Sequence, residues 1–197
     1  CFDLFNYMAL IVACRSLDYA EITFKKFADE LEANLEAGIY AFKGAEKTRV
    51  TWEGIAVWPY LGHTFKSLKS LGSIMTGSAY PGLWDLHYDA HDDSLHSMAE
   101  AYTRIYINTC LENKVNVLLN IVNGGKCDGI VYHLNRSCKL MSFLNVETAE
   151  IIKEKTGLPY VSFDGDQTDP RNFAPAQFDT RVQALAEMME ANLAAAE

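Results

Sequence analysis

Short apolar segments alternate with amphipathic ones along most of this chain. Runs rich in β-branched and aromatic residues at 49–58, 73–79, 129–134 and 159–163 predict four β-strands. Around them, apolar residues recur at spacings of three and four, which predicts helices. Strands that alternate with helices favour an α/β fold, a small Rossmann-like or flavodoxin-like parallel sheet with helices on both faces.

The amphipathic segments divide the chain into two predicted parts. Residues 1–47 predict a helical hairpin, with Asp18 as the expected cap of its second helix, and residues 48–197 predict the flavodoxin-like domain. Residues 80–97 are polar and irregular and predict a long loop. Further helices are predicted at about 65–71, 98–110, 111–122, 142–156 and through the C-terminal segment, where Phe178, Val182, Leu185, Met189 and Leu193 share one face.

If the strand order is of the flavodoxin-like type, it is 2-1-3-4. In that order, the topological switch point lies between the first and third strands. Ligands of open α/β sheets bind at such a point, at the carboxyl ends of the strands. The loop at 58–62 would then face the turn at 135–138.

Composition and charge narrow the possible functions. The chain has 197 residues and a formal net charge of −9, which opposes binding to nucleic acid or to an anionic membrane surface. No apolar run reaches the ~18 residues of a membrane span. Five scattered cysteines without a CxxC motif favour reduced thiols in a cytoplasmic protein. Because the chain begins at Cys1 without an initiator methionine, we expect a piece of a longer polypeptide.

Cys138 is the main candidate for chemistry. It follows the third predicted strand, with Ser137 before it and Lys139 after it. A thiol near a helix N-terminus and a cation suits a nucleophile or a metal ligand, although a structural cysteine fits this position equally well. A hydrolase nucleophile is disfavoured because no Gly-x-Cys-x-Gly elbow surrounds it.

Two acidic clusters have alternative interpretations. Asp164, Asp166 and Asp169 follow the fourth strand and fit either a divalent-metal site or local turn chemistry, and the turn is favoured. His87 and His91 have a spacing that resembles zinc ligands on a helix. Because Pro81 and Gly82 precede them, a solvated acidic loop is the favoured interpretation.

Several motifs, in order, resemble one family. They are FDLFN at 2–6, WEGIAVWPYLG at 52–62, DGIVYHLNRSCK at 128–139, FDGDQTDPRNF at 163–173, and Gln177 followed by TRVQ at 180–183. Together they resemble the 2-hydroxyacyl-CoA dehydratase and benzoyl-CoA reductase family, most closely dehydratase subunits of the 2-hydroxyglutaryl-CoA type. The resemblance covers nearly the whole chain.

The resemblance implies an oxygen-sensitive lyase that acts on an acyl-CoA substrate. Family members pair with a homologous partner subunit, carry a 4Fe-4S cluster held by three cysteines, and receive one electron from an ATP-dependent iron–sulfur activator. The substrate becomes a ketyl radical, loses its hydroxyl group and yields the enoyl-CoA. The alternatives are a benzoyl-CoA reductase-type subunit and a non-catalytic flavodoxin-like binding or assembly domain.

Carried over to this chain, the resemblance implies that Cys138 is one of the three cluster ligands. The other two ligands lie in an N-terminal region that is missing here, so the fragment alone is expected to be inactive, with its cluster absent or incomplete. Cys127, at the other end of the strand, is expected to be structural. Residues expected to surround the cluster or line the pocket are Trp58, Tyr60, His133, Asn135, Arg136, Ser137, Asp164 and Asp166.

Overall fold

A four-stranded parallel sheet forms the centre of the protein in a computed structural model that describes residues 2–89, 91 and 93–196. Its strands, in the order β2-β1-β3-β4, confirm the predicted topology. They are β1 (Thr48–Glu53), β2 (Ser73–Ser78), β3 (Gly129–Asn135) and β4 (Tyr160–Gly165).

Helices cover both faces of the sheet, as predicted. They are α1 (Phe2–Ala13), α2 (Asp18–Glu36), α3 (Leu61–Ser70), α4 (Ser94–Thr103), α5 (Leu111–Gly125), α6 (Lys139–Ser142), α7 (Asn145–Thr156) and α8 (Pro175–Ala196), with short 3-10 turns at Trp58–Tyr60, Pro81–Trp84, Tyr106–Asn108 and Pro170–Asn172. α3 and α8 pack on one face, and α5 and α7 pack on the other. Among the helices of these described ranges, none has the length and apolarity needed to cross a bilayer.

Alternation along β3 builds the two halves of the core. Val131 faces α8, where it meets Phe178 and Leu185, whereas Ile130 and Tyr132 face α5 and α7. All five side chains are at most 1% exposed. Full burial of each large apolar side chain contributes about 1.5–3 kcal/mol, so this packing fixes which face of the sheet each β3 side chain points to. The orientation of the turn that follows β3 is fixed in the same way.

The predicted stripe on α8 is buried along most of its length. Phe178, Val182, Leu185 and Met189 are at most 1% exposed, and they pack against the sheet. Leu193 is 41% exposed, so the prediction fails for the last member of the stripe.

β1 ends five residues earlier than predicted. The strand stops at Glu53 because Gly54 has φ +106°, a backbone conformation that only glycine adopts readily. A Cβ atom at Gly54 would lie 2.6 Å from the carbonyl oxygen of His133. Residues 55–57 remain buried without continuing the strand.

The loop predicted over residues 80–97 is interrupted by regular structure. α4 starts at Ser94 because the Asp93 carboxylate caps it, accepting hydrogen bonds from the backbone N–H groups of Leu95 (3.0 Å) and His96 (3.1 Å). The helix predicted over 98–110 is therefore wrong at both ends, since α4 ends at Thr103. The helix predicted over about 142–156 is α7, which begins three residues later than predicted, and the short helix α6 before it was not predicted.

Both N-terminal helices lie where the sequence predicts them. Leu17, not Asp18, is the residue that precedes α2, so the predicted Asp18 cap is wrong. The rings of Tyr7 and Phe27 approach to 4.6 Å between the two helices. Met8 of α1 is buried in the core of the sheet. The pairing of α1 and α2 as a hairpin, and the domain boundary at residue 47, stay predictions.

Candidate functional site

The turn after β3 fixes the position of Cys138. Asn135 accepts hydrogen bonds at Oδ1 from the N–H (3.2 Å) and Oγ (3.1 Å) of Ser137, and its carbonyl oxygen accepts one from the Cys138 N–H (3.3 Å). This Asx turn ends β3 at Asn135, and α6 begins at Lys139, directly after Cys138. Because β1 and β3 are neighbours in the sheet, this turn lies at the predicted topological switch point.

An apolar cluster forms the wall against which Cys138 packs. The Cys138 side chain is half-buried. At the end of α6, Ser142 Oγ donates a hydrogen bond to the carbonyl oxygen of Asn135 (2.9 Å), which ties this short helix back to the end of β3. The thiol is thus held on a fixed turn at the carboxyl end of β3, where it stays partly exposed. The cluster consists of Ile55, Ala79, Leu83, Tyr106 and Met141.

Arg136 and Asp164 meet beside this turn. Their side chains form an ion pair of 3.0 Å between Nε and Oδ1, and both are more than half exposed. Together with Asn135 they line an open depression of about 290 Å³. An exposed pair of this kind stabilises the fold by at most about 1 kcal/mol, so it mainly affects the charge and shape of the depression beside the turn.

His133 is a buried structural ring in this geometry. Its Nδ1 lies 2.5 Å from the carbonyl oxygen of Ile55, to which it donates as the Nδ1–H tautomer, and its ring stacks on Phe163 at 5.0 Å. Burial lowers the pKa of His133, partly opposed by that hydrogen bond. A neutral imidazole therefore ties the segment after β1 to the end of β3.

Trp58 and Tyr60 have aromatic partners of their own. The indole of Trp58 lies 6.3 Å from the ring of Phe5, and the ring of Tyr60 lies 4.6 Å from that of Phe173. Neither ring belongs to the apolar cluster that packs against Cys138. The role of Trp58 and Tyr60 as pocket walls stays a prediction.

The acidic residues after β4 form the turn that the sequence favours. Asp166 accepts hydrogen bonds at Oδ1 from the N–H groups of Thr168 (2.9 Å) and Asp169 (3.1 Å), which lower the pKa of its carboxyl group. Asp169 pairs with Arg171 through two nitrogens, and this pairing lowers the pKa of Asp169 to about 2. These carboxylates are committed to the backbone and to arginine, which confirms the turn interpretation.

His87 and His91 of the acidic loop lie next to acidic residues of the same loop. His87 Nε2 lies 3.2 Å from Asp85, with both side chains more than 70% exposed, and the His91 backbone N–H donates to Asp89 (2.8 Å). Asp92 of this cluster lies outside the described residues. Over the described ranges, no three His, Cys, Asp or Glu side chains are grouped so that they could hold a metal ion.

Cys127 occupies a structural position, as predicted. It is 8% exposed, and its sulfur lies 2.9 Å from Thr51 Oγ1 and 3.2 Å from Thr76 Oγ1. Both hydroxyl groups come from the neighbouring strands β1 and β2, so the thiol joins two strands and the end of α5 inside the core.

Sequence reasoning missed a buried polar group next to the Cys138 wall. Glu53, the last residue of β1, is 1% exposed and accepts a hydrogen bond of 2.9 Å at Oε1 from the Tyr106 hydroxyl. Its Oε2 has no hydrogen-bond partner among the described residues, and burial raises its pKa to about 7. The available signal was a carboxylate in a strand candidate, directly after Trp52 and followed by the apolar run at 55–57.

We expect Glu53→Gln to remove a pH-dependent loss of stability. With a folded pKa of about 7 and an ordinary value of 4.5, the wild type favours the protonated carboxyl group when folded. Its stability relative to the variant therefore falls as pH rises from 4.5 through 7, by about 3 kcal/mol in total. Denaturant unfolding of both proteins at pH 4.5 and 8 measures this difference.

The exposed Glu154 supplies a matched control for that comparison. Glu154→Gln should change stability by less than about 0.5 kcal/mol at either pH. The lowered pKa of His133 removes stability on the acid side in wild type and variant alike, so it cancels in the difference. An equal stability gap between wild type and Glu53→Gln at both pH values would contradict the prediction.

Comparisons with known proteins agree on one family. Residues 1–189 match the family described as 2-hydroxyglutaryl-CoA dehydratase, D-component. The chain is 85% identical over 196 residues to lactoyl-CoA dehydratase subunit alpha of Anaerotignum propionicum, covering 100% of this chain and 46% of that protein. It is 48% identical over 189 residues to the (R)-2-hydroxyisocaproyl-CoA dehydratase alpha subunit of Clostridioides difficile, covering 96% and 46%.

A more distant match is a benzoyl-CoA reductase subunit of Thauera aromatica, 27% identical over 150 residues, which are 74% of this chain and 34% of that protein. The two dehydratase subunits and this reductase subunit are all longer than the chain. It spans about half the length of the dehydratase subunits that it matches.

Proposed function

This chain belongs to the 2-hydroxyglutaryl-CoA dehydratase D-component family, and from that premise we propose that it is part of a subunit of a 2-hydroxyacyl-CoA dehydratase. The observation that carries the proposal is its 85% identity, over its whole length, to a lactoyl-CoA dehydratase subunit. A change in reaction class is hard to reconcile with so little divergence. We therefore assign the intact protein to the lyases.

Lactoyl-CoA is the substrate that this similarity supports best. Its dehydration removes the hydroxyl group from C2 and a hydrogen from C3, giving acryloyl-CoA and water. The hydrogen at C3 is not acidified by the thioester, which makes a simple base-catalysed elimination difficult. A one-electron route avoids that difficulty: the thioester carbonyl takes up one electron to become a ketyl radical, the C2 hydroxyl group leaves as hydroxide, and the resulting radical makes the C3 hydrogen acidic. That hydrogen then leaves as a proton and the electron is returned, so the dehydration is redox-neutral overall.

The residues of the turn fit one corner of an iron–sulfur site. Cys138 offers a half-buried thiol on a turn fixed by backbone hydrogen bonds, and a soft thiolate is the ligand that iron–sulfur clusters use. When bound, a 4Fe-4S cluster would supply single electrons to the thioester. The Ser137 and Asn135 side chains would keep the ligand oriented, and the Arg136–Asp164 ion pair would lie beside it.

The described residues supply one ligand and not a complete set. Among these residues no three metal-ligating side chains are grouped, and we propose that the longer intact subunit supplies the remaining ligands. One thiolate does not hold a four-iron cluster, so we propose that the described part of the chain, taken alone, binds none and does not turn over substrate. A homologous partner subunit and an ATP-dependent iron–sulfur activator complete the proposed enzyme, and its proposed location is the cytoplasm.

Anaerobic assay of the intact subunit with its partner, the activator, ATP and a reductant tests this function. Lactoyl-CoA, 2-hydroxyisocaproyl-CoA, 2-hydroxyglutaryl-CoA and benzoyl-CoA are offered separately. We expect acryloyl-CoA to form from lactoyl-CoA with a kcat/KM at least about tenfold above that for the bulkier substrates, the scale on which a pocket discriminates small apolar groups.

Reduction of benzoyl-CoA in place of dehydration would overturn the assignment in favour of the reductase branch. Absence of any reaction with all four thioesters, in a preparation whose iron content is complete, would favour a non-catalytic assembly domain. Preference for another 2-hydroxyacyl-CoA would keep the reaction and reject lactoyl-CoA as the substrate.

A further inference from the structure

Lys114 is a buried cation located behind the turn that carries Cys138. It lies in the first turn of α5 and is only 2% exposed. Its Nζ sits 5.0 Å from the centroid of the Tyr106 ring, a cation–π geometry. Its one hydrogen bond among the described residues is long, 3.4 Å to the carbonyl oxygen of Leu140.

That single bond connects Lys114 to the candidate site. Leu140 is in α6, two residues after Cys138, so the ammonium holds the same short helix that the Cys138 turn begins. Tyr106, over whose ring the ammonium is placed, belongs to the apolar cluster against which Cys138 packs. The same Tyr106 donates its hydroxyl to Glu53 at the end of β1.

The arrangement is costly as a purely structural device. Burial lowers the pKa of Lys114, while Glu53 and Cys138 act in the opposite direction. An ammonium with one long hydrogen bond leaves two N–H donors without a partner among the described residues, which destabilises a fold. A methionine of similar length would fill the same space without that penalty.

We infer that Lys114 is a positioning residue for Cys138: its ammonium holds the first turn of α6 through the Leu140 carbonyl and sets a positive charge behind the cluster-binding thiolate. This inference rests on the proposed function. A fixed cation near a cluster stabilises its reduced form, because reduction adds negative charge. Glu53, which accepts the Tyr106 hydroxyl, has the opposite effect when it is ionised.

The test is the one-electron reduction potential of the cluster in the intact, anaerobically purified subunit pair at pH 8. For Lys114→Met we expect the equilibrium constant for reduction to fall about tenfold, which is 59 mV for one electron. Lys114→Arg keeps the charge and should stay within about twofold of wild type. Glu53→Gln should shift the potential in the positive direction, because at pH 8 it removes a negative charge.

Hydrogen exchange of residues 139–143 gives a second readout that needs no cluster. We expect these amides to exchange faster in Lys114→Met than in wild type, and at the wild-type rate in Lys114→Arg. An unshifted potential in a Lys114→Met protein that retains its iron would overturn the inference, as would equal shifts in the methionine and arginine variants. Retention of iron in Cys138→Ser would instead defeat the proposed function, so the two failures are distinguishable.

Discussion

Replacing Cys138 by serine in the intact protein is expected to remove most of the cluster iron and to abolish dehydration. A serine oxygen is a poor ligand for iron in a sulfur cluster, and the site would lose one of its three proposed thiolates. We expect dehydration to fall at least about 100-fold while the far-ultraviolet circular dichroism stays unchanged. The fold should survive because the Cys138 thiol is only half-buried and the turn is held by backbone groups.

Cys110 provides the matched control for that variant. It is an exposed, free cysteine that precedes α5, and serine is a good residue at such a helix start. Cys110→Ser should therefore keep full iron content and activity. Normal iron content and normal dehydration in Cys138→Ser would show that the turn after β3 does not bind the cluster.

Gly54→Ala should have the largest effect on stability of any single-methyl change near the site. Gly54 has φ +106°, and the added Cβ would lie 2.6 Å from the backbone carbonyl oxygen of His133, which a side-chain rotation cannot relieve. Strain of both kinds costs more than about 3 kcal/mol. For a chain of this length that lowers Tm by roughly 6–12 °C, measured by calorimetry.

Gly62→Ala is the control for the glycine variant. Gly62 lies in α3, and a Cβ there meets nothing within 4 Å. Alanine in a helix is favoured over glycine by about 0.5–1 kcal/mol, so this variant should be as stable as wild type or slightly more. Equal stability of the Gly54 and Gly62 variants would show that the segment after β1 is not held rigidly by β3.

Patterns of short range were enough to predict the fold class and the place of Cys138. Alternating strands and helices leave few ways to connect a parallel sheet, and the flavodoxin-like order 2-1-3-4 that the structure shows is one of them. The same pattern placed Cys138 directly after β3. Local turn chemistry was equally readable at Asp166, whose side chain accepts backbone N–H groups two and three residues on.

Features that depend on distant residues could not be predicted in the same way. β1 was predicted too long because its true end depends on the approach of Gly54 to His133, which are far apart in sequence. Lys114 looks like an ordinary polar residue of an amphipathic helix, and only packing reveals its burial beside Tyr106. The start of α4 at Ser94 was readable from Asp93, a favoured capping residue, and was missed.

The most direct test of the account is whether Cys138 is protected by bound iron. The intact protein, purified anaerobically, is treated with a thiol-alkylating reagent before and after iron is removed with a chelator, and the Cys138 and Cys110 peptides are quantified by mass spectrometry. We predict that Cys138 resists alkylation while iron is bound and reacts after chelation, whereas exposed Cys110 reacts in both states. Rapid alkylation of Cys138 with the iron still in place would contradict its assignment as a cluster ligand.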